Sequence, residues 1–174
     1  MQWNFDTAHS NIGFSVKHMM VSTARGTFEK FSGSVSFDPA KPAETTLDVS
    51  IDAASINTND EKRDGHLKSA DFFEVEAHPA LTFKSTRVQV IDKDSAKLSG
   101  DLTIRGVTKP VVLDVEFNGV GQNPWGNQVA GFSAKTKISR KDFGLVWNVA
   151  LEAGGVLVAD DVKIEIDAEL NPAK

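Results

Sequence analysis

The sequence predicts an all-β protein, an antiparallel β-barrel with one short helical insertion. Three observations lead there. Apolar and polar residues alternate with a period of two in segment after segment, the pattern of strands with one dry and one wet face. Turn-forming residues separate those segments. One stretch near residue 60 breaks the alternation and carries a helix-start signal.

Near the start, Ile12, Phe14, Val16 and His18 share a face, with Gly13, Ser15 and Lys17 between them. Val35 and Phe37 continue the style, and Pro39 and Pro42 then mark a connection. Leu47, Val49 and Ile51 alternate with Asp48, Ser50 and Asp52. Thr58-Asn59-Asp60-Glu61 has the spacing of a capping box, so a short helix is expected from Glu61 to Ser69. Gly65 weakens that helix by roughly 1 kcal/mol relative to Ala, so it must rely on packing, through Leu67.

Leu81 and Phe83, then Leu98, Leu102 and Ile104, give the next strands, separated by the polar turn Asp92–Ser95. Val111, Leu113, Val115 and Phe117 share a face, and Gly119 and Gly121 read as the end of that strand. Asn123-Pro124-Trp125-Gly126 places Pro and Gly where a type I turn prefers them. Phe132, Ala134, Thr136 and Ile138 alternate with charged and polar neighbours, and a helical turn is expected at Ser139–Phe143. Val162, Ile164, Ile166, Ala168 and Leu170 form the last dry face.

Strands reach both ends without a repeat or linker, so residues 1–174 read as a single domain. Closure into a barrel removes exposed edges and is the favoured arrangement. A two-sheet sandwich has the same periodicity and stays open as the alternative.

Composition narrows the function. The formal charge is −5, and no cluster of Lys and Arg suits a nucleic-acid backbone. There is no cysteine, which excludes disulfides, thiolate metal sites and a cysteine nucleophile. Eleven Phe, three Trp and no Tyr suit a greasy interior better than a polar recognition surface. The first residues, Met1-Gln2-Trp3-Asn4-Phe5-Asp6, have neither the basic nor the apolar region of a signal peptide. A cytoplasmic location is therefore expected, with the periplasm as the alternative if a leader was removed.

No catalytic constellation stands out. His9, His18, His66 and His78 match no zinc spacing, so no metal is expected. Asp142-Phe143-Gly144 lacks the other kinase segments, and neither a nucleophile elbow nor a phosphate loop is present, so no cofactor is expected. Asp160-Asp161 and the pair Glu74 and Glu76 read as solvated faces. Arg63-Asp64-Gly65-His66-Leu67 reads either as a polar clasp at a pocket mouth or as surface pairs that tie the helix down. An eight-stranded barrel can be solid or can hold one small ligand. The mixture of large residues (Phe14, Phe37, Phe83) with small ones (Ala134, Ala168) fits either case.

An ordered set of segments resembles the YceI-like family of bacterial lipid-binding proteins. The set begins with Trp3-x-x-Asp6-x-x-His9-Ser10-x-Ile12-x-Phe14-x-Val16-x-His18, Arg25-Gly26-x-Phe28 and Phe31-x-Gly33. It continues through Ser55-Ile56-x-Thr58, Arg63-Asp64-x-His66-Leu67-x-Ser69-x-Asp71-Phe72-Phe73, His78-Pro79 and Thr82-Phe83-x-Ser85-Thr86. Gly100 to Pro110, Gly131-Phe132 and Arg140-x-Asp142-Phe143-Gly144 complete it.

The resemblance implies a lipocalin-like barrel with an apolar tunnel. Such a tunnel holds a polyisoprenoid or similar long-chain lipid, of the isoprenoid quinone or prenyl diphosphate type, for carriage or storage. It also implies a binding protein rather than an enzyme, a homodimer, and transient contact with a membrane or membrane protein. Each carbon group of an isoprenoid chain contributes on the order of 0.8 kcal/mol on leaving water, so few polar contacts are needed. Alternation and the family segments together nominate Phe14, Val16, Val35, Phe37, Val49, Ile51, Leu67, Phe72, Phe83, Leu102, Ile104 and Phe132 as lining. His18, Arg63, His66 and Arg105 are the candidates for the head group, since a diphosphate or quinone needs donors. Two rival readings remain: an enzyme acting on an amphiphile through His18 or His66, and a solid barrel that works through its surface.

Overall fold

The computed structural model describes residues 1–151 and 155–174. Its strands are β1 (Gln2–Phe5), β2 (Asn11–His18), β3 (Ser22–Phe28), β4 (Phe31–Ser36), β5 (Thr46–Asp52), β6 (Ile56–Asn57), β7 (Ala80–Val90), β8 (Ser95–Ile104), β9 (Val107–Gln122), β10 (Gln128–Ser139) and β11 (Val158–Pro172). The helix α1 (Glu61–Lys68) lies between β6 and β7.

Three pairs of short strands act as single bent strands. β1 and β2 both pair with β11, Trp3 opposite Pro172 and Phe14 opposite Ile164. β4 pairs with β1 while β3 pairs with β2. β5 then pairs with β4 while β6 pairs with β3. Counted this way the wall has eight strands, antiparallel throughout, and the β1–β11 pairing closes it. The ring is a barrel, so the sandwich alternative falls.

The period-two stripes set which residues face inward, because adjacent side chains point to opposite sides of a strand. Cross-strand registers agree with this. Phe14 stands opposite Gly26 and Ile164, and Val49 stands opposite Gly33 and Phe83. One end of the barrel, here the lower, is closed by apolar packing. Trp3, Val35, Phe37, Ala130 and Leu170 are buried there, with Phe117 and Phe132 against them. The Trp3 indole donates to the Phe37 carbonyl at 3.0 Å, which satisfies the one polar atom in the plug. The upper end carries α1, the β2–β3 turn, the β8–β9 turn and the segment before β11.

One local expectation is corrected and two are refined. Asp60, not Thr58, caps α1, its carboxylate accepting from the Arg63 amide at 3.1 Å. Thr58 is buried instead and its hydroxyl donates to Asp64, because β6 carries it under the helix. β9 runs through Gly119 and Gly121 and ends one residue on, at Gln122. Gly131 faces Gly119 while Phe132 faces Phe117, so Asn118 is the extra residue of a bulge that Gly119 (φ 108°) accommodates. The turn expected at Ser139–Phe143 is a 3₁₀ turn, Arg140–Phe143, ended by Gly144 in the left-handed conformation (φ 79°).

The turn between β1 and β2 is held by a charged pair. Asp6 accepts from the Ala8 amide at 3.1 Å and lies 2.9 Å from His9 Nδ1. The bond to His9 lowers the Asp6 pKa below its ordinary 3.8, and Asp6 together with Glu169 raises that of His9 above 6.5. His9 thus favours the fold fully below pH 6.5 and loses that contribution as pH rises through its raised value. Asp6 favours the fold above pH 3.8 and loses its contribution as pH falls through its lowered value. The pair is therefore at full strength between about pH 3.8 and 6.5. An NMR titration of the His9 ring is expected to give a midpoint above 6.5, and Asp6→Asn is expected to lower it. An unchanged midpoint in that variant would remove the pairing.

Candidate ligand-binding site

The inward stripes do not fill the barrel. They enclose a cavity of about 590 Å³ with an almost wholly apolar lining. That volume lies inside the range of about 300–1,000 Å³ typical of ligand sites. Ile12, Phe14, Val16, Ala134, Ile138, Val162, Ile164 and Ile166 line it and are only half-buried, so they face open space wide enough for water.

Glycine makes the room. Phe14 lies over Gly26 and Phe83 lies over Gly100, so close that a Cβ on either glycine would overlap the ring. The rings therefore lie along the wall instead of crossing the lumen.

All of the nominated residues except Phe37 and Arg105 line this cavity. They are Phe14, Val16, His18, Val35, Val49, Ile51, Arg63, His66, Leu67, Phe72, Phe83, Leu102, Ile104 and Phe132. Phe37 lies beyond the end of β4 and packs into the lower plug, 5.1 Å from the Phe132 ring and 5.4 Å from Phe117. Arg105 sits in the two-residue β8–β9 turn with φ 51°, outside the in–out alternation of the strands. Its guanidinium pairs with Glu74 at 3.3 Å, and neither residue lines the cavity.

Toward the upper end the lining turns polar, and the charged residues of the lining there are cationic. Arg63, His66 and Leu67 fall on one face of α1 by their three- and four-residue spacing and line the cavity with Lys62. Arg63 donates from Nε to the Thr58 hydroxyl (2.9 Å) and from an Nη to the Thr58 carbonyl (2.8 Å). That fixes the guanidinium at the mouth. His66 lies 2.9 Å from Asp71 and packs edge-on against Phe72 and Trp147, with ring centroids 5.0 and 4.6 Å away. Lys17 and His18 reach the mouth from β2. Asp167 is the one acidic residue of the lining among the described residues, and its carboxylate accepts from Ser133 on the outer face.

Arg140 was not among the nominated residues. It is 5% exposed and donates to four carbonyls, those of Leu145, Trp147, Val158 and Ala159, at 2.6 to 3.2 Å. It thereby fixes the strap between β10 and β11, which places Leu145, Trp147 and Leu157 against the cavity. Burial lowers its pKa, and Asp160 partly offsets this. Its signal in the sequence was a long-range one: the carbonyl partners lie between 5 and 19 residues away along the chain and are all main-chain atoms.

Among the described residues, one cluster outside the cavity could hold a metal. Ligand-type atoms of Asp6, His9 and Glu169 lie within 4.8 Å of one another. Sequence spacing could not reveal it, since Glu169 arrives through the β1–β11 closure.

The sequence matches the YceI-like domain over residues 3–170. The chain belongs to the YceI-like family. A UPF0312 protein of Staphylococcus aureus is 42% identical to it over 170 residues, 97% of this chain and 96% of that protein. One from Vibrio cholerae is 45% identical over 140 residues, 79% of this chain and 73% of that protein. Among solved structures, a Campylobacter jejuni YCEI protein superposes with a TM-score of 0.79 at 37% identity, covering 97% of this chain and 96% of that one. A Saccharophagus degradans protein described as a polyisoprenoid binding domain shares the fold, with a TM-score of 0.71 at 15% identity and 98% coverage of both chains. The YceI-like barrel accounts for the lipocalin-like architecture expected from the sequence.

Proposed function

We propose that this YceI-like protein binds a single long-chain amphiphile, of the polyisoprenoid type, with its chain in the barrel and its head at the cationic mouth. The observation that carries the reading is the cavity of about 590 Å³, apolar along most of its length, closed below and with its cationic residues above. A chain needs no directional partners and gains about 0.8 kcal/mol per buried carbon group. Lys17, Lys62 and Arg63 at the mouth suit an anionic or hydrogen-bond-accepting head. The fold likeness to the polyisoprenoid binding domain of Saccharophagus degradans points to the same ligand class. The protein acts as a carrier or store, without catalysis and as a homodimer.

Native mass spectrometry of the purified protein, followed by solvent extraction, is the direct test. A stoichiometric isoprenoid adduct supports the reading. A clean mass that stays unchanged after incubation with isoprenoid lipids overturns it.

Ile164→Asp gives a sharper test. Ile164 stands opposite Phe14 and Thr136 in the middle of the wall and is only half-buried. In the empty barrel the carboxylate keeps water through the mouth, so the fold survives. A bound chain would strip that water, at about 2 kcal/mol or more. Binding is expected to weaken about thirtyfold at little change in melting temperature. Equal affinity in the folded variant would place the ligand elsewhere.

A further inference from the structure

We propose that the rim of the barrel mouth docks on an anionic lipid bilayer, so that the tunnel opens directly toward the lipid phase. This rests on the proposed function in one respect only, that the cavity takes its cargo from lipid. The surface itself stands on separate observations.

The β2–β3 turn presents Met19, Met20 and Val21 to solvent, and Val21 is 84% exposed. The strap before β11 adds Val146 and Val149, also exposed. The two segments form one surface. The Met19 amide donates to the Leu157 carbonyl at 2.8 Å, and Met20 lies over Gly155, where a Cβ would collide with its sulfur. The Leu157 amide donates in turn to the Val149 carbonyl at 2.9 Å, which ties the strap to itself. Exposed apolar residues scattered singly need no explanation, but a contiguous collar marks an interaction site.

The turn is also an improbable place for these residues. Met19 and Met20 adopt φ of 52° and 63°. Tight hairpins usually supply that conformation with Asn or Gly, at less strain. Here the left-handed positions carry two long apolar side chains and hold them outward.

The occupant follows from continuity and charge. Leu157 and Trp147, on the same strap, line the cavity, so the outer collar and the inner tunnel are one apolar surface. Lys17 and Lys62 stand beside it, both exposed and without an ion-pair partner among the described residues. The whole chain carries −5, so an anionic membrane repels most of its surface, and these two unpaired lysines supply the attraction at the rim. Apolar side chains then enter the acyl boundary while the lysines meet headgroups, as at other interfacial sites.

Flotation with vesicles tests this. The full-length protein is mixed with vesicles of phosphatidylcholine alone or with phosphatidylglycerol added. Binding is expected with the anionic vesicles, falling as salt rises. Met20→Asp/Val21→Asp is expected to bind about tenfold less, since both changes place charge where acyl chains would lie. Trp125→Asp, at the opposite end of the barrel, is expected to bind like the native protein. Flotation that is absent, unaffected by the double substitution, or lost in Trp125→Asp overturns the proposal. So does a native dimer that the double substitution turns into a monomer, because the collar would then cover a second copy.

Capture of an isoprenoid added from ethanol, without vesicles, separates the two ideas. Docking with no capture would sink the proposed function and leave the docking surface standing. Capture with no docking would do the reverse.

Discussion

Arg140→Ala is expected to lower stability by about 4 kcal/mol and to release the strap before β11. The side chain is 5% exposed, and its guanidinium supplies donors to the carbonyls of Leu145, Trp147, Val158 and Ala159. Alanine leaves those acceptors without partners, and each unsatisfied buried group costs roughly 1–3 kcal/mol. Water entering the vacated space recovers part of that. Asp160, 4.0 Å from the guanidinium, also loses a cation, but it is half-solvated and adds little.

Two measurements separate this from an ordinary core loss. Hydrogen exchange should rise at the Leu157 and Val158 amides, whose partners are Val149 and Asn148 on the strap, more than at the centre of β8. Arg140→Lys should recover only part of the loss, because one ammonium cannot span carbonyls on both sides of the strap. A variant that melts within about 1 kcal/mol of the native protein would show that the strap is held by packing alone.

How far the sequence revealed this molecule depends on the kind of information each residue carries. The inward stripes of β2, β5, β10 and β11 were legible because a strand has one periodicity, and a dry face must repeat every second residue. Ile12, Phe14, Val16 and His18 all reach the lumen, as do Val162, Ile164, Ile166, Ala168 and Leu170. Phe28 also lines the cavity, yet its stripe was hidden because its inward neighbour is Gly26. Phe37 has the composition of a lining residue, and only the closing of the lower end makes it part of a plug. Arg105 depends on a turn conformation with positive φ, which alternation does not describe. The strap needs Arg140 to meet carbonyls up to 19 residues away, and main-chain acceptors leave no mark in a sequence. Whether the barrel was hollow was least legible. It turns on glycines opposite aromatic rings, a pairing visible only once the register is known.

That pairing yields a result that a surface-acting barrel cannot produce. Gly26→Ala is expected to weaken lipid binding about a hundredfold while stability falls by only about 1–2 kcal/mol. The new Cβ would overlap the end of the Phe14 ring and lie 2.8 Å from Thr58 Cγ2. The ring is the freer of the two. Thr58 is buried and bonded to Arg63 and Asp64, whereas Phe14 is half-buried and has open lumen on its other side. Phe14 therefore swings into the cavity, where it occupies the path of the chain. A phenyl group displaces about four methylene-sized groups of ligand, or some 3 kcal/mol of burial. The second substitution decides the matter. Gly26→Ala/Phe14→Ala removes the displaced ring and should restore most of the affinity, although it leaves less aromatic surface than the native wall. A single variant that binds normally would mean that Phe14 finds room along the wall. A double variant that stays weak would mean that Gly26 acts through Thr58 and the mouth, moving the affinity determinant from the tunnel to the head group.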